Sequence, residues 1–533
     1  MINHKQWLII LLVFNTTIIL NPTLQSQEVP HSTNNYGIYE FLDELANSQI
    51  ITINSAIKPY SRLSIAKWLK EANGKREQLN PRQQKELDFY LMDFGKELNE
   101  GKSWKRRKDL FYYKDSLFSL TINPILGGEI FTNSSGSATY LRNGAEARGY
   151  VQNWGFYASL RDNHEKPLLG LPDYLTKREG GHLKGTTDWS EMQGGVTWSW
   201  RWGNAGLIKE RQQWGNNYNG ANIFRGNNPT FVQLQLHLNP VKWFDFNYFH
   251  GWLNSMVVDS SRSYWVTNSY GTDYREVYHK KYIAANMFTF TPFKNFYVSA
   301  ANSIVYTDKK FNPAYLIPLF FYKSVDHSLT SGIDNMNSQM YFDISSRQIK
   351  NLHLYATLFI DELSVSRFTK KDEWNFFSWK TGFRLSNLPL QNLSLTAEFT
   401  YTYPLTFQHH VPTLTFKTAN YNLGHYLKDN SRELYLAFGY RPLRTLIINV
   451  CLTDAIRGPD YNALGGSRLG NPPLESIKWH NTTLGLNSSY QVINDLYTWV
   501  SFIRSNIRGE EQWSPEYFYG KKSTLNLGIT FGF

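Results

Sequence analysis

The sequence has a single cysteine and, beyond its N-terminus, no long apolar run. With Cys451 alone, no disulfide can form within the chain, and a zinc site built from thiolates is disfavoured. The longest later apolar stretch, residues 314–322, falls far short of the roughly 18–20 residues that a membrane-spanning helix requires. The sequence therefore excludes a disulfide-stapled domain and a helical membrane protein.

Sequence signatures of enzyme active sites are also missing. The chain contains no G-x-S-x-G elbow, no H-E-x-x-H motif and no glycine-rich phosphate loop. His409 and His410 are adjacent, so in an extended segment their side chains point apart and do not share a metal. Asp326 and His327 are neighbours too, with no serine or cysteine placed for attack. We expect no catalytic residues, no metal and no cofactor, and hence a protein that is not an enzyme.

Aromatic residues and positive charge are abundant instead. Phe, Trp and Tyr make up 16% of the chain, which is high for a soluble enzyme. Lys and Arg number 55 against 44 Asp and Glu, which gives a formal net charge of +11. A basic protein suits anionic partners such as acidic glycans, lipid headgroups or nucleic acid.

The N-terminus predicts export. A short basic start precedes an apolar stretch from Trp7 to Leu20, and a polar segment containing Ser26 follows. This order is typical of a secretory signal peptide, so we assign residues 1–26 to a cleaved signal peptide and residues 27–35 to a linker.

A helical period follows the linker. Apolar residues recur at helical spacing in three stretches of residues 36–100. Asn80 followed by Pro81 suits the start of the third helix, and Ser64 suits the cap of the second. We predict a three-helix domain over residues 36–100 and a basic linker over residues 101–109.

From residue 110 to residue 533, strands replace the helical period. In residues 392–402, apolar side chains such as Leu395 and Phe399 alternate with polar ones such as Glu398. Period-two alternation is typical of a strand with one apolar and one polar face.

Short turns join the strands in pairs, and longer polar segments separate the pairs. The turns recur about every 50 residues. They are residues 239–243, 291–296, 347–352, 388–393, 441–446 and 491–496. Short turns at one end and long loops at the other are typical of an up-and-down transmembrane β-barrel.

The length of this region predicts an all-β antiparallel barrel of about 16–18 strands. A soluble propeller or sandwich would also have short strands. It would explain neither the sustained polar face nor the aromatic excess, which membrane barrels place in girdles at the two interfaces.

The C-terminal strand shows the same alternation. Leu525, Leu527 and Ile529 are apolar, and the pattern continues to the terminal residue, Phe533. In a closed barrel the last strand must pair with the first, since an open edge in hydrocarbon is costly. We predict that the strand is intact to its last residue, and that Phe533 is part of the signal read by the barrel assembly machinery.

Two stretches, residues 207–235 and 311–345, combine cations, amides and aromatic rings. Such residues can bind sugars, because rings stack on aromatic faces and hydroxyls pair with amides and carboxylates. They could equally be girdle anchors and charges of a wet lumen. The candidate polysaccharide-binding residues are Lys209, Arg211, Trp214, Arg225, Asn227, Tyr315, Tyr322, Asp326 and Asp334.

The same stretches resemble the Wzi-type capsule assembly family. The shared patterns are K…WG…N-x-P-T-F within residues 207–235 and F-N-P-x-Y-x-I-P…D-N…L-x-L-Y-x-x-x-x-x-D-E within residues 311–362. With a helical domain behind the signal peptide, the chain is similar to members linked to gliding motility and surface adhesion. The resemblance implies a large outer-membrane barrel that holds capsular polysaccharide at the cell surface, and it implies no catalytic residues.

We therefore expect a non-enzymatic outer-membrane barrel that attaches or assembles extracellular polysaccharide, an acidic one in view of the net charge. An even strand count places both termini and the helical domain in the periplasm and the long loops outside. Two alternatives stay open, a diffusion pore and a structural component of a motility, adhesion or secretion machine with a periplasmic protein partner. Outer-membrane lipid is the expected surroundings, and we expect no nucleic-acid partner.

Overall fold

The structure is a computed structural model. It describes residues 28–98, 107–269, 271–308, 310–329, 335–461 and 470–533. The predicted signal peptide, most of the predicted basic linker and the candidate Asp334 lie outside the described residues.

Three α-helices precede the barrel, and they are α1 (Tyr36–Asn47), α2 (Arg62–Asn73) and α3 (Pro81–Phe94). As predicted, the Asn80 side chain caps α3, accepting a hydrogen bond from the backbone N–H of Gln83 at 2.9 Å. The cap of α2 is Ser61 instead of Ser64, and it accepts a hydrogen bond from the backbone N–H of Ser64 at 3.0 Å. The sequence prediction placed this helix start one turn too late.

The three helices pack on one another through their apolar faces. Phe41, Leu69 and Leu91, one from each helix, are completely buried in a shared cluster. No helix among the described residues is long and apolar enough to cross a membrane. We call residues 36–98 the helical segment.

The remainder of the chain is dominated by long antiparallel strands. They are β1 (Phe118–Asn133), β2 (Gly136–Val151), β3 (Trp154–Lys166), β4 (Asp188–Trp200), β5 (Gly203–Glu210), β6 (Phe231–Val241), β7 (Phe244–Val258), β8 (Tyr278–Phe293), β9 (Phe296–Tyr306), β10 (Met336–Ser346), β11 (Leu352–Glu362), β12 (Phe376–Ser386), β13 (Leu393–Thr402), β14 (Ser431–Tyr440), β15 (Leu446–Arg457), β16 (Trp479–Ile493), β17 (Leu496–Gly509) and β18 (Gly520–Phe531). A short fourth helix, α4 (Tyr322–Leu329), lies between β9 and β10.

Each strand pairs with the next, and β18 closes the barrel on β1. The closing ladder runs from Leu525 opposite Thr132 to Phe531 opposite Leu126. The barrel thus has 18 antiparallel strands, which confirms the predicted fold class at the upper limit of the predicted strand number.

All six predicted turns join consecutive strands at one end of the barrel, which we call the turn end. Asn295 and Asp495 adopt φ values of 61° there, a left-handed conformation that Asn and Asp tolerate. The opposite end, the loop end, carries the longer connections, although β1 and β2 are joined there by two residues only. Both ends of the barrel chain, at Phe118 and Phe531, lie at the turn end.

The two faces of the strands differ as predicted. On β18, Leu525 and Ile529 are 45% and 52% exposed on the outer face, whereas Thr524 and Asn526 are buried on the inner face. On this strand the wall is therefore apolar outside and polar inside, as in transmembrane barrels, whereas the inner faces of β7 and β8 also carry buried apolar residues such as Phe249 and Met287.

The last two residues depart from the predicted alternation. The ladder of β18 ends at Phe531, and Gly532 turns the chain with a φ of 79° while its N–H bonds the carbonyl of Asp495 at 3.0 Å. The ring of Phe533 then lies 5.5 Å from that of Tyr497, whose side chain is buried inside the barrel. The expectation that the strand is intact to its last residue is wrong, because the positive φ at glycine redirects the chain inward.

Candidate functional site

The connection between β5 and β6, residues 211–230, turns into the barrel instead of projecting from it. Trp214 and Phe224 are each 1% exposed. The backbone at Trp214 pairs with Phe224 on one side and with Ile57 of the helical segment on the other. We call residues 211–230 the inner loop.

The inner loop crosses the lumen. From Asn216, the backbone N–H and the side-chain amide donate to Asp343 on β10 at 2.9 and 2.6 Å. The backbone N–H groups of Tyr218 and Asn219 donate to the two carboxylate oxygens of Glu398 on β13 at 2.7 and 3.0 Å. Since β5 and β13 lie on nearly opposite sides of an 18-strand barrel, these bonds hold the loop across its full width.

Both carboxylate oxygens of Glu398, which lies against the inner loop, have hydrogen-bond partners. Besides the two backbone N–H groups, it pairs with the ammonium of Lys380 at 3.2 Å and accepts the hydroxyl of Tyr355. Both Glu398 and Lys380 are almost completely buried. A buried carboxylate is tolerated when it is paired and hydrogen-bonded in this way.

A second charged group fixes the start of the inner loop. The Arg211 guanidinium bonds the carboxylate of Glu179 and, through Nε, the carbonyl of Asn228 at 2.8 Å. Asn34 donates to the same carboxylate at 2.7 Å. Burial would raise the pKa of Glu179, but Arg211 and Arg161 outweigh it and hold that pKa well below its usual range.

Trp214 anchors the apolar part of the loop. Its ring lies 5.2 Å from that of Phe224 and 5.3 Å from that of Phe249 on β7, edge to face in both cases. Its indole N–H donates to Gln212 at 3.0 Å. The indole is therefore enclosed on its faces and its polar edge, and it stabilises the loop.

A second loop, residues 403–430, also folds inward from the loop end. Phe407 and Phe416 are buried against the inner loop and the wall. The backbone N–H of Phe407 donates to Asp429 at 2.7 Å. Burial raises the pKa of Asp429 to about 6, although this hydrogen bond acts in the opposite direction. The carbonyl of Leu423 accepts the N–H of Arg225 at 2.8 Å, which joins the two loops.

At the turn end, the helical segment is held by arginines of the barrel turns. Arg347, which follows β10, donates to Asp43 and Asn47 of α1, both at 2.7 Å, and to Ser55 at 2.9 Å. Burial would raise the pKa of Asp43, but Arg347 and Arg384 hold it well below its usual range.

Two more turns repeat this arrangement. Arg441 donates to Glu40 of α1 at 2.9 Å and to Glu86 of α3. Asp495 accepts the side-chain amide of Asn35 at 2.6 Å. Tyr218 joins the inner loop to the helical segment, since its hydroxyl donates to Asp43 of α1 at 2.6 Å. Helical segment, inner loop and wall thus form one hydrogen-bonded body.

One large chamber of about 1000 Å³ lies between α2 and the wall at the turn end. Trp214 of the inner loop lies above it, Trp68 and Tyr60 line it from the helical segment, and Gln235 and His237 line it from β6. Gln212 and Trp214 of the inner loop border the chamber.

An exposed hairpin lies at the loop end, between β7 and β8. Its strands, Tyr264–Asn268 and Gly271–Arg275, place Trp265 opposite Tyr274. The two rings are 5.1 Å apart, and they are 69% and 41% exposed. An exposed pair of aromatic faces beside the charged Arg275 is suited to stacking against sugar rings.

The structure brings together most of the candidates from the first stretch. Arg211, Trp214, Arg225 and Asn227 all belong to the inner loop, where Arg225 donates to the carbonyl of Thr176 at 3.0 Å. Lys209 lies apart from them, because it shares the outer face of β5 with the exposed Leu207 and donates to the carbonyl of Met192 at 2.7 Å.

The described candidates from the second stretch, residues 311–345, lie on the outer face of the barrel wall. Tyr315 and Tyr322 are completely buried in a cluster on the outer face of β7–β10, and Asp326 lies on α4 beside them. The two stretches therefore do not form a single site.

Sequence reasoning missed the residues that close the lumen. Glu398 is recognisable as a charge on the polar face of a strand, but its partners lie 179 and 180 residues away in a loop without periodicity. The exposed pair Trp265 and Tyr274 was also missed. Its alternating aromatic and polar residues, flanking a glycine, are the signal that could have predicted a hairpin.

Comparison with known proteins supports the fold. No protein-family model and no curated protein sequence matches the chain. Among solved structures, Escherichia coli Wzi, an outer-membrane protein involved in group 1 capsule assembly and a carbohydrate-binding β-barrel, aligns with a TM-score of 0.58 at 12% identity, over 95% of this chain and 100% of that one. Pseudomonas aeruginosa OccD3 aligns with a TM-score of 0.43 at 11% identity, over 77% of this chain and 90% of that one. The closed 18-strand wall and the alignment with Wzi together give the chain the fold of an outer-membrane β-barrel.

Proposed function

We propose that the protein is a non-enzymatic outer-membrane barrel that attaches or assembles an extracellular polysaccharide at the cell surface. The observation that carries the proposal is the filled lumen. The inner loop spans it from β5 to β13, and the helical segment is bonded across the turn end. A barrel obstructed by its own buried chain is suited to binding, whereas a diffusion pore needs an aqueous path.

The proposed class of ligand rests on the net charge of the chain and on its structural similarity to Wzi. A net charge of +11 favours an acidic polysaccharide. The likeness to Wzi, whose description includes carbohydrate binding, favours the same class of ligand for this chain.

The loop end would carry the glycan, with the turn end and the helical segment in the periplasm. In that orientation, the exposed pair Trp265 and Tyr274 stacks on sugar rings. Arg211, Trp214, Arg225 and Asn227, predicted as binding residues, act by shaping the inner loop on which the outer surface rests.

The proposal is tested with capsular polysaccharide extracted from the parent strain. A deletion strain should release this glycan into the medium without stopping its synthesis. Purified protein should bind the glycan less tightly as salt increases, because the attraction between opposite charges is screened. Normal cell-bound glycan in the deletion strain, together with no binding by purified protein, would refute the attachment role.

A substitution at the hairpin locates the contact. Trp265→Ala should weaken glycan binding about tenfold, which corresponds to about 1.4 kcal/mol. Trp243→Ala is the matched control, since Trp243 is 58% exposed but lies at the turn end. Equal loss of affinity in both variants would contradict the proposed orientation.

A further inference from the structure

The connection between β9 and β10 folds back over the outside of the barrel. The inner face of β9 is identified by Ser303, whose neighbour Tyr341 contacts Phe224 of the inner loop with rings 5.8 Å apart. Asn302 and Tyr306, which alternate with that face, therefore belong to the outer face of the wall. Both are buried, because residues 311–328 cover them. We call residues 311–328 the outer arm.

Polar side chains of the wall bond the backbone of the outer arm. The Asn286 amide on β8 donates to the carbonyls of Pro318 and Phe320 at 2.7 and 2.9 Å. Asn302 accepts the backbone N–H of Tyr322 at 2.9 Å and donates to Asn286 at 2.6 Å.

Tyrosines of the wall bond the other part of the arm. Tyr248 donates to the carbonyl of Tyr315 at 2.9 Å, and the Tyr306 hydroxyl accepts the N–H of Asn312 at 3.2 Å. Five backbone polar groups of the arm thus bond neutral side chains of the outer wall, and they belong to Asn312, Tyr315, Pro318, Phe320 and Tyr322. In hydrocarbon, irregular backbone is stable only when its polar groups are bonded within the protein.

The other side of the arm is apolar and uncovered. Its large apolar side chains are between 38% and 64% exposed, and they are Phe311, Ile317, Leu319, Phe320 and Phe321. This surface continues the uncovered outer wall, where Phe342 and Ile344 on β10 are 46% and 41% exposed. The charged Lys323 and the neighbouring His327 follow on α4.

The depth of the arm follows from the register. Asn302 lies four residues from the loop end of β9, at Tyr306, and six from the turn end, at Phe296. The arm therefore reaches well below the loop end, along a wall whose outer face elsewhere carries exposed apolar side chains such as Phe342 and Leu486.

We propose that the outer arm is embedded in the bilayer, with Leu319 and its apolar neighbours in contact with lipid acyl chains and Lys323 at the level of the headgroups. The arm then replaces part of the lipid-facing wall in one leaflet. An amphipathic segment with apolar residues on one side and cations at its polar end is suited to this interface.

Spin-label accessibility in vesicles of phosphatidylcholine and phosphatidylglycerol tests the proposal. In a Cys451→Ser background, single labels are placed at Leu319→Cys, at Leu486→Cys on the uncovered outer face of β16, and at Thr186→Cys in an exposed turn at the loop end. The ratio of accessibility to oxygen over accessibility to a water-soluble nickel chelate should be several-fold higher at 319 than at 186. It should be highest at 486, which lies midway along β16 and therefore deeper in the bilayer.

Two results would overturn the proposal. A label at 319 that matches the label at 186 places the arm in water. A label at 319 that is protected from both reagents means that protein covers the arm, such as a second copy of the chain. Phe321→Cys is the second position if Leu319→Cys fails to assemble. Since no glycan enters this experiment, its result is independent of the proposed polysaccharide role.

Discussion

The inner loop and the outer arm leave the same end of the barrel and take opposite sides of its wall. Both fold against the wall through buried asparagines and aromatic rings. The inner loop bonds the carboxylates of Asp343 and Glu398, whereas the outer arm bonds the neutral side chains of Asn302 and Tyr248. The lumen holds charges that are paired with opposite charges, such as Glu398 with Lys380, while the wall satisfies the backbone of the outer arm with uncharged side chains. The environment, more than the loop sequence, decides which partners are used.

Replacing each loop tests the comparison most directly. A short Gly/Ser linker in place of residues 212–228 should open a path between the chamber and the loop end, because it removes the segment that is bonded across the lumen to Glu398 and that supports Phe416 of the second loop. Stepwise conductance should then appear in planar bilayers, where we expect none from the parent protein. The same replacement of residues 312–328 should leave conductance absent. Conductance in the parent protein would show an aqueous path and favour the pore function.

Removing the anchor of the inner loop should have the next largest effect. Glu398→Ala leaves Lys380 buried without its partner and frees two backbone N–H groups, so we expect a loss of about 3–5 kcal/mol in the free energy of unfolding. Urea titration followed by heat-modifiable mobility on gels measures this loss. Asn302→Ala is the matched change on the outer side, and it should cost only about 1–3 kcal/mol because neutral groups are left unbonded. Equal losses would remove the contrast between the two sides.

Charge placed on either face of a single strand sharpens the contrast. Leu486 on β16 is 45% exposed between Val450 and Phe502 on the outer face, so Leu486→Arg should destabilise the folded barrel by about 2–4 kcal/mol and reduce its assembly. Asn487 faces the lumen beside Ser501, and Asn487→Arg should assemble close to the parent level. The amount of heat-modifiable protein in outer-membrane fractions is the readout. The register would be wrong if the two variants assembled equally.

Changes of pH should produce the smallest effects, with opposite signs at two sites. Burial raises the pKa of Asp429 to about 6, so its ionisation destabilises the second loop as pH rises from about 4 through 6. The pKa of Asp43 is depressed by Arg347, so the stability it contributes is present above about pH 4 and lost only below it. Hydrogen-exchange protection of the second loop should thus be higher at pH 5 than at pH 7.5, while that of α1 is unchanged. Asp429→Asn should abolish the difference.

The sequence predicts the strands of the barrel wall far better than the loops that fold against the wall. Alternation such as that of Leu395 and Glu398 reports which face meets water, because a strand has only two faces. The six turns were predicted because each is a short segment between two such alternating stretches. The path of the inner loop could not be predicted, since Asn216 bonds a residue 127 positions away and no local pattern reports that partner.

The candidate site was predicted only in part. The residues of the inner loop were recognised as unusual from their amides and aromatic rings, but their burial was not. Tyr315 and Tyr322 were assigned to the glycan with the same reasoning, yet they belong to the outer arm and are buried against the wall. Composition reports that polar and aromatic groups need partners, and it does not report whether the partner is a ligand or the protein itself.

The contacts of Arg347, at the β10–β11 turn, also bear on the order in which parts of the protein fold. Arg347 bonds Asp43 across 304 residues of chain, and Asp495 bonds Asn35 across 460. Contacts of such high sequence separation form late, because the intervening chain must be ordered first. We therefore expect the N-terminal helices to be seated last, after the strands around them are in place. A chain cut short before β16 lacks Asp495 entirely, so proteases that recognise loosely held helices would remove incomplete barrels and leave complete ones intact.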